Sequence, residues 1–395
     1  MTSPNSLQPV LASSRLTWGL IAALGLFYAL LFSTTQPDHF LFLLPWLRAI
    51  TSNPGLSEFA TDFSNYTGGY LTFLWAASVL EPILSELAII KLAAVLGSLL
   101  LAVAIWVCLG CFGWLGTARF NAALITLVLP TVMLNGIGWG QADAFYTSFL
   151  VLSLAAVLCD RPYLAALAFA IAVAFKLQAM FFGPFLLGYM LRNPRALIAG
   201  LVMLVPTYLA VNLIYLAGGR PVSEVLSIYL DQANTYHRLS MNAGNPWLLV
   251  DLLVPPEVLA PVRRTLILAG LLGATVTGLI IAWRVAVTAK TSQTLLWFAC
   301  FSTLIMPYIL PKMHDRFFFP AEIMLIVALF TDRRYLAPAV LAQLSGMCMY
   351  AVYHDTLGLR ALFGWPNVAL VGMVFLALAL VTLIRLRPAT ASTPR

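Results

Sequence analysis

Apolar runs long enough to cross a bilayer recur from Leu16 almost to the C-terminus, separated by short clusters of polar and charged residues. A transmembrane helix needs about 20 mostly apolar residues to pass a hydrocarbon core roughly 30 Å thick. On that measure the pattern predicts spans near residues 16–33, 86–109, 120–135, 142–159, 162–177, 179–191, 196–217, 264–284, 293–310, 317–331, 335–352 and 366–385. The expected fold is therefore an all-α polytopic bundle of about 12 transmembrane helices in a single integral-membrane domain, 1–395. The first run, Leu16 to Phe32, is followed by Gln36-Pro37-Asp38-His39 with no small-residue cleavage site between, so it reads as a retained helix and not as a signal peptide.

Two segments are short. Residues 162–175 and 179–191, at ~1.5 Å per residue, give at most ~20 Å of helix. Helix tips that stop below the surface are tolerated where they line a water-filled cavity, and this junction carries Lys176 and Gln178. A charge at membrane depth costs roughly 2.5–3.5 kcal/mol on the insertion scale, which makes Lys176 a functional candidate. The plainer reading is a lysine snorkelling to the interface.

Two long loops share one side. Loop 34–85 holds two apolar stretches, Phe40–Ile50 and Tyr70–Leu80, of a length suited to interfacial helices. Loop 218–262 runs through "DQANTYHRLSMNAGNPW", polar with interleaved aromatics.

Composition agrees with the pattern: 61% of residues are hydrophobic and only 9% are charged, against roughly 45–50% apolar usage in soluble domains. The net charge of +7 is topological. With a cytoplasmic N-terminus, one side carries Arg15, Arg119, Arg161, Arg192, Arg195, Arg284, Lys290, Arg333, Arg334, Arg385, Arg387 and Arg395 against only Asp160 and Asp332. Both termini then lie in the cytoplasm, and no nucleic-acid partner is implied. The expected home is a bacterial plasma (inner) membrane, or the ER membrane in a eukaryotic host, the only setting in which the sequon Asn65-Tyr66-Thr67 has meaning. The five cysteines, Cys108, Cys111, Cys159, Cys300 and Cys348, read as packing residues at or inside helix ends.

The remaining polar residues cluster on the other side: Asp38-His39, Asp62, "GWGQAD" (138–143), Lys176 and Gln178, Asp231 to Trp247, "PKMHDRFFFPAE" (311–322) and Tyr353-His354-Asp355. All four histidines, His39, His237, His314 and His354, fall there. Lys312, His314 and Arg316 beside an apolar wall suit a lipid phosphate, with arginine giving bidentate contact and lysine a point charge. An acidic residue on another loop can then act as a general base. The plain reading of "KMHDR" is an interfacial anchor.

The first outer loop "PDHFLFLLPW…DFSNYTGGYLTFLW", the runs "GWGQADAFYTSFLVLSL" and "LAALAFAIAVAFKLQAMFFGPFLL", the "SMNAGNPW" segment and "PKMHDRFFFPAE" together resemble the GT-C glycosyltransferases, especially mannosyltransferase-like members that use polyprenyl-phosphate sugars. The resemblance runs from about residue 36 to 325. It implies inverting transfer of a hexose, mannose first, from a polyprenyl-phosphate-linked sugar to a lipid or glycan acceptor hydroxyl at the extracytoplasmic face. Asp38 matches the catalytic acid, and Asp62 is a second candidate. Lys312, His314, Arg316 and Lys176 fall to the donor phosphate, and Gln141, Asp143, Gln178, His237 and Asn242 to substrate binding. Where relatives carry paired acids in the first loop, His39 follows Asp38 here and the next acid is Glu58, so no metal ligand set is read and a divalent cation is left open. Asp62 and Asp143 also suit helix caps. Two other functions compete. A transporter or flippase of lipid-linked sugars would place charges at both faces, whereas these sit at one. A glycan ligase or polymerase would share the donor chemistry and differ in product.

Overall fold

The computed structural model describes residues 6–53, 55–234, 238–288 and 291–387. It is all-α, 79% helical. In chain order the helices are α1 (Ser14–Phe32), α2 (Leu44–Ser52), α3 (Gly68–Ser78), α4 (Glu86–Cys111), α5 (Gly116–Leu127), α6 (Pro130–Met133), α7 (Asp143–Leu158), α8 (Pro162–Phe175), α9 (Gly183–Met190) and α10 (Pro194–Val211). There follow α11 (Leu213–Gly218), α12 (Val222–Asn234), α13 (Pro246–Leu253), α14 (Pro256–Val287), α15 (Ser292–Ile309), α16 (Phe319–Thr331), α17 (Leu336–Tyr353), α18 (Leu359–Phe363) and α19 (Trp365–Arg385). The two strands, β1 (Ser240–Met241) and β2 (Met313–His314), pair in parallel.

Every predicted span is helical. Among the described residues, seven helices are long and apolar enough to cross a membrane, and the pair Gly116–Leu127 and Pro130–Gly138, bent by 55°, passes the same test as a broken span or a re-entrant loop. The bend has a local cause: Pro130 lacks the N–H that would continue α5 and opens the next helix at its first position. The four remaining segments are short apolar helices, Asp143–Leu158, Pro162–Phe175, Leu177–Met190 and Phe319–Thr331. Two of these the pattern had marked as short. The shortness of α7 and α16 it had not, because hydropathy continues across their ends while the backbone turns. The apolar stretches of the first loop become α2 and α3, as expected of interfacial helices.

Capping sets several of these boundaries. The Ser85 hydroxyl accepts the Ala88 N–H at the start of α4, Asn193 caps α10 ahead of Pro194, and Thr291 caps α15. The core forms where α4, α7, α8, α15 and α16 meet, around fully buried Leu101, Leu154, Phe182, Leu296 and Met324. α1 is largely uncovered by protein, with Leu20 its buried residue and Trp18 mostly exposed, the pattern of a helix with a lipid-facing side.

One expectation is corrected. Cys111 and Cys159 are disulfide-bonded, with Cα atoms 6.0 Å apart, instead of packing as separate thiols. α4 and α7 pack along their lengths and finish at the same end of the bundle, which brings two residues 48 positions apart within bonding geometry. Cys108, Cys300 and Cys348 are buried free thiols.

Candidate active site

At the opposite end of the bundle from that disulfide, the polar clusters converge. Asp38 follows Pro37 at the entry to a π-helical turn, His39–Leu43, and is almost fully buried. Its carboxyl accepts three hydrogen bonds: Trp139 Nε1 and Gln141 Nε2 each donate to Oδ2 at 2.9 Å, and the Tyr353 hydroxyl donates to Oδ1 at 2.5 Å. Trp139 and Gln141 reach it because a π-helical turn, Leu134–Gly138, precedes them and Gly140 adopts φ 74°, a left-handed conformation that glycine takes without strain. The Tyr66 hydroxyl donates to Gln141 Oε1 at 3.0 Å, so the amide is held from both sides.

The next carboxylate is Asp143, fully buried at the start of α7. Lys176 Nζ meets its Oδ1 at 2.5 Å, Asn135 Nδ2 donates to its Oδ2 at 2.9 Å, and Arg316 Nε stands 3.6 Å from the same oxygen. Lys176 is presented here because α8 stops at Phe175 and residue 176 turns extended. Arg316 spans the two acids: its Nη1 lies 4.0 Å from Asp38 Oδ2, and its guanidinium carbon sits 5.0 Å from the centre of the Trp139 ring.

The segment carrying Arg316 is held by backbone pairing. β2 runs beside β1, with Ser240 opposite Met313 and Met241 opposite His314. Lys312 N–H donates to Leu239 O at 2.7 Å and Asp315 N–H to Met241 O at 3.1 Å, while Asn242 bridges to His314. Lys312 and Asn242 both have positive φ, 62° and 61°, at the edges of this ladder. Asp315 is buried behind it, and burial raises its carboxyl to about 7 against the opposing pull of Arg316. Burial also lowers two neutral imidazoles close to Asp38, His39 and His354, to about 4 each.

Three cavities adjoin at these residues. One of about 230 Å³ is lined by Asp38, Gln141, Asn242, Asp315, Arg316 and Tyr353 among others. A second, of about 380 Å³, is lined by Lys176, Gln178, Lys312, His314, Arg316 and Phe317 among others. Asn65, Tyr66, His314 and Arg316 form their common wall. The third, about 620 Å³, is lined by apolar residues except for Gln178 and Thr275, and it shares Leu177, Gln178, Leu310 and Met313 with the second.

Nine of the sequence candidates thus come together: Asp38, Gln141, Asp143, Lys176, Gln178, Asn242, Lys312, His314 and Arg316. Asp62 does not join them. Its side chain is 82% exposed and pairs at 2.8 Å with Arg220, whose own side chain is buried. His237 lies outside the described residues. Sequence reading passed over Tyr66, Asn135, Trp139 and Tyr353 as individual residues, although Trp139 sits within "GWGQAD" and Tyr353 beside His354. The aromatic three gave no signal by type, since aromatic residues in so apolar a chain are ordinarily core, whereas Asn135, an amide inside the predicted span 120–135, was a signal that went unread. Among the described residues, no group of three or more His, Cys, Asp or Glu side chains is arranged to hold a metal ion.

No family model and no curated protein matches the chain. Among solved structures, that of ArnT from Cupriavidus metallidurans bound to undecaprenyl phosphate is similar in shape, with a TM-score of 0.50. The match covers 94% of this chain and 77% of that one at 14% identity. At that identity the likeness bears on architecture: this chain is an integral membrane protein with a GT-C fold.

Proposed function

We propose that this protein is an inverting glycosyltransferase that moves a hexose, with mannose the first to be tried, from a polyprenyl-phosphate donor to an acceptor hydroxyl at the extracytoplasmic face of the membrane. The observation that carries the reading is the position of Arg316. It forms part of the wall between the cavity of Asp38 and the cavity of Lys176, and the latter opens onto an apolar groove.

Each compartment suits one part of such a donor. The apolar groove takes prenyl units of the tail, whose burial is favourable by ~25 cal/mol per Å² of apolar surface. Lys176, Lys312 and Arg316 face the phosphate, and the smaller cavity holds the sugar and the acceptor. As the acceptor oxygen bonds to the anomeric carbon, the bond from that carbon to the phosphate oxygen breaks and its electron pair leaves with the phosphate. The acceptor's proton passes to Asp38. Cations fixed before reaction stabilise the charge that develops on the phosphate more than they stabilise the ground state. Trp139, Gln141 and Tyr353 fix the direction of the Asp38 carboxyl. The undecaprenyl phosphate in the ArnT crystals is in keeping with a prenyl-phosphate ligand here.

The test uses the full chain in lipid nanodiscs with a panel of synthetic polyprenyl-phosphate hexoses. Native mass spectrometry should show polyprenyl phosphate bound to wild type and released by Arg316→Ala, and at least one hexose donor should be consumed. Failure of wild type to retain any polyprenyl phosphate, with every donor left intact, would remove the reading.

A further inference from the structure

Between α6, α7, α16 and α17 lies a second set of polar side chains, none of which lines the three cavities. Its centre is Glu322, in the first turn of α16 and fully buried. Among the described residues the Thr131 hydroxyl is the one donor beside its carboxyl, and that hydroxyl gives its proton to Gln343, so neither carboxyl oxygen is left with a hydrogen bond of its own. The niche is shaped around the group. A Cβ added at Gly346 of α17 would stand 2.5 Å from Glu322 Oε1 and 2.9 Å from Thr131 Cγ2, so the glycine makes the room the carboxyl occupies. Thr131 donates its hydroxyl to Gln343 Oε1 at 2.9 Å, and Gln343 Nε2 is itself buried without an acceptor among the described residues.

We propose that Glu322 is a proton-binding site of the bundle interior: a carboxyl that keeps its proton at neutral pH, next to the charged cluster of the active site but separate from it. A buried carboxylate needs a cation or several donors, and an unpaired charge costs far more to bury than an unpaired neutral group. The titratable groups near enough to sense its charge are Asp143 and Tyr146 from α7 and Tyr350 from α17, none of them a cation; α6 contributes Thr131. The two cations of the region, Lys176 and Arg316, are already on Asp143, at 2.5 and 3.6 Å. A second negative charge beside Asp143 would be repelled and uncompensated. The first turn of a helix favours negative charge, but that attraction is weak and the Glu322 oxygens meet none of its N–H groups. The division is then charge on Asp143 and proton on Glu322, and Asn135 serves the charged side: its Nδ2 lies 2.9 Å from Asp143 Oδ2 and 3.5 Å from the Tyr350 hydroxyl.

Two measurements on the full chain at neutral pH test this without knowledge of any substrate. In the infrared difference spectrum of wild type minus Glu322→Gln, the C=O stretch of a protonated carboxyl should be lost. Loss of a carboxylate band in its place overturns the proposal. Should Glu322→Gln fail to fold, wild type decides alone. Dicyclohexylcarbodiimide partitions into apolar protein and adds across a neutral acid, whose proton goes to the reagent nitrogen and whose oxygen goes to its carbon. Peptide mass mapping should find the adduct on Glu322; an adduct on Asp143 only, or on neither, overturns the assignment.

Discussion

The Tyr353 hydroxyl donates to Asp38 Oδ1 at 2.5 Å, joining the end of α17 to the first loop across 315 positions of sequence. With Trp139 and Gln141 on the other oxygen, it leaves the carboxyl one orientation, toward the smallest cavity. Asp38→Asn keeps the volume and removes the basicity, so transfer from a polyprenyl-phosphate hexose should fall by about 10²–10⁴-fold, the usual worth of a general base. Tyr353→Phe removes one hydrogen bond to a charged acceptor, worth about 1.5–3 kcal/mol, and should cost about ten- to a hundredfold in kcat. Asp62→Asn should leave the rate close to wild type, since Asp62 lines none of the three cavities and its exposed carboxyl is turned to Arg220. An inactive Asp62→Asn beside an active Asp38→Asn would move the base to the other acid.

Arg316 faces both carboxylates, and its planar fork is what allows this. Arg316→Ala should lower kcat by about 10²–10³-fold, in line with removal of one preorganised donor to a developing oxyanion. Arg316→Lys should recover only part of that, because a single ammonium cannot face Asp38, Asp143 and a phosphate together. Full activity in Arg316→Ala, in protein with an unchanged melting temperature, would return "KMHDR" to the role of an interfacial anchor.

The Lys176–Asp143 pair is buried on both sides. Removing one partner of such a pair typically costs about 3–5 kcal/mol, since the other charge is left uncompensated. Lys176→Met and Asp143→Asn should each lower the melting temperature, and the double variant should lose less than the sum of the two. Strict additivity in that cycle would mean the two groups do not interact.

Stability should respond to pH from two directions. His39 and His354 fall from an ordinary 6.5 to about 4 in the folded chain, so the unfolded chain protonates first as pH drops. Their effect is absent above about 6.5 and destabilises progressively from there down to about 4. Asp315 acts in the opposite sense: raised from 3.8 to about 7, it costs stability as pH climbs through that interval. Asp315→Asn keeps an acceptor for the Arg316 N–H, now at 2.9 Å, and should raise the melting temperature at neutral and alkaline pH but not near pH 4. Melting curves across a pH series check both arms.

The arginine distribution predicts sidedness. Glu58→Cys and Glu224→Cys, in the two long loops of the site end, should react with an impermeant maleimide in intact cells. Arg195→Cys, at the other end, should react only after permeabilisation. The reverse pattern would invert the protein in its membrane.

Hydropathy along the chain determined the class of the protein and the location of its spans, because burial in a bilayer demands a long apolar run whatever its neighbours are. It also marked Lys176, Asp143, Gln141 and Arg316, since charge and amide groups in so apolar a chain are costly unless they have partners. What it could not decide is which of these meet. Asp38 and Asp62 look equivalent in one polar loop, and only the packing of α11 and α12 against that loop leaves Asp62 exposed and turned to Arg220. The π-helical turns that aim Asp38, Trp139 and Gln141 at one another depend on backbone geometry that no residue pattern here encodes. The register of β1 against β2, which fixes Lys312, His314 and Arg316, joins segments more than 70 residues apart through main-chain hydrogen bonds that any sequence can make. Local free energy selects helices; the site is made of contacts between them, and those are set by how the whole bundle fills its interior.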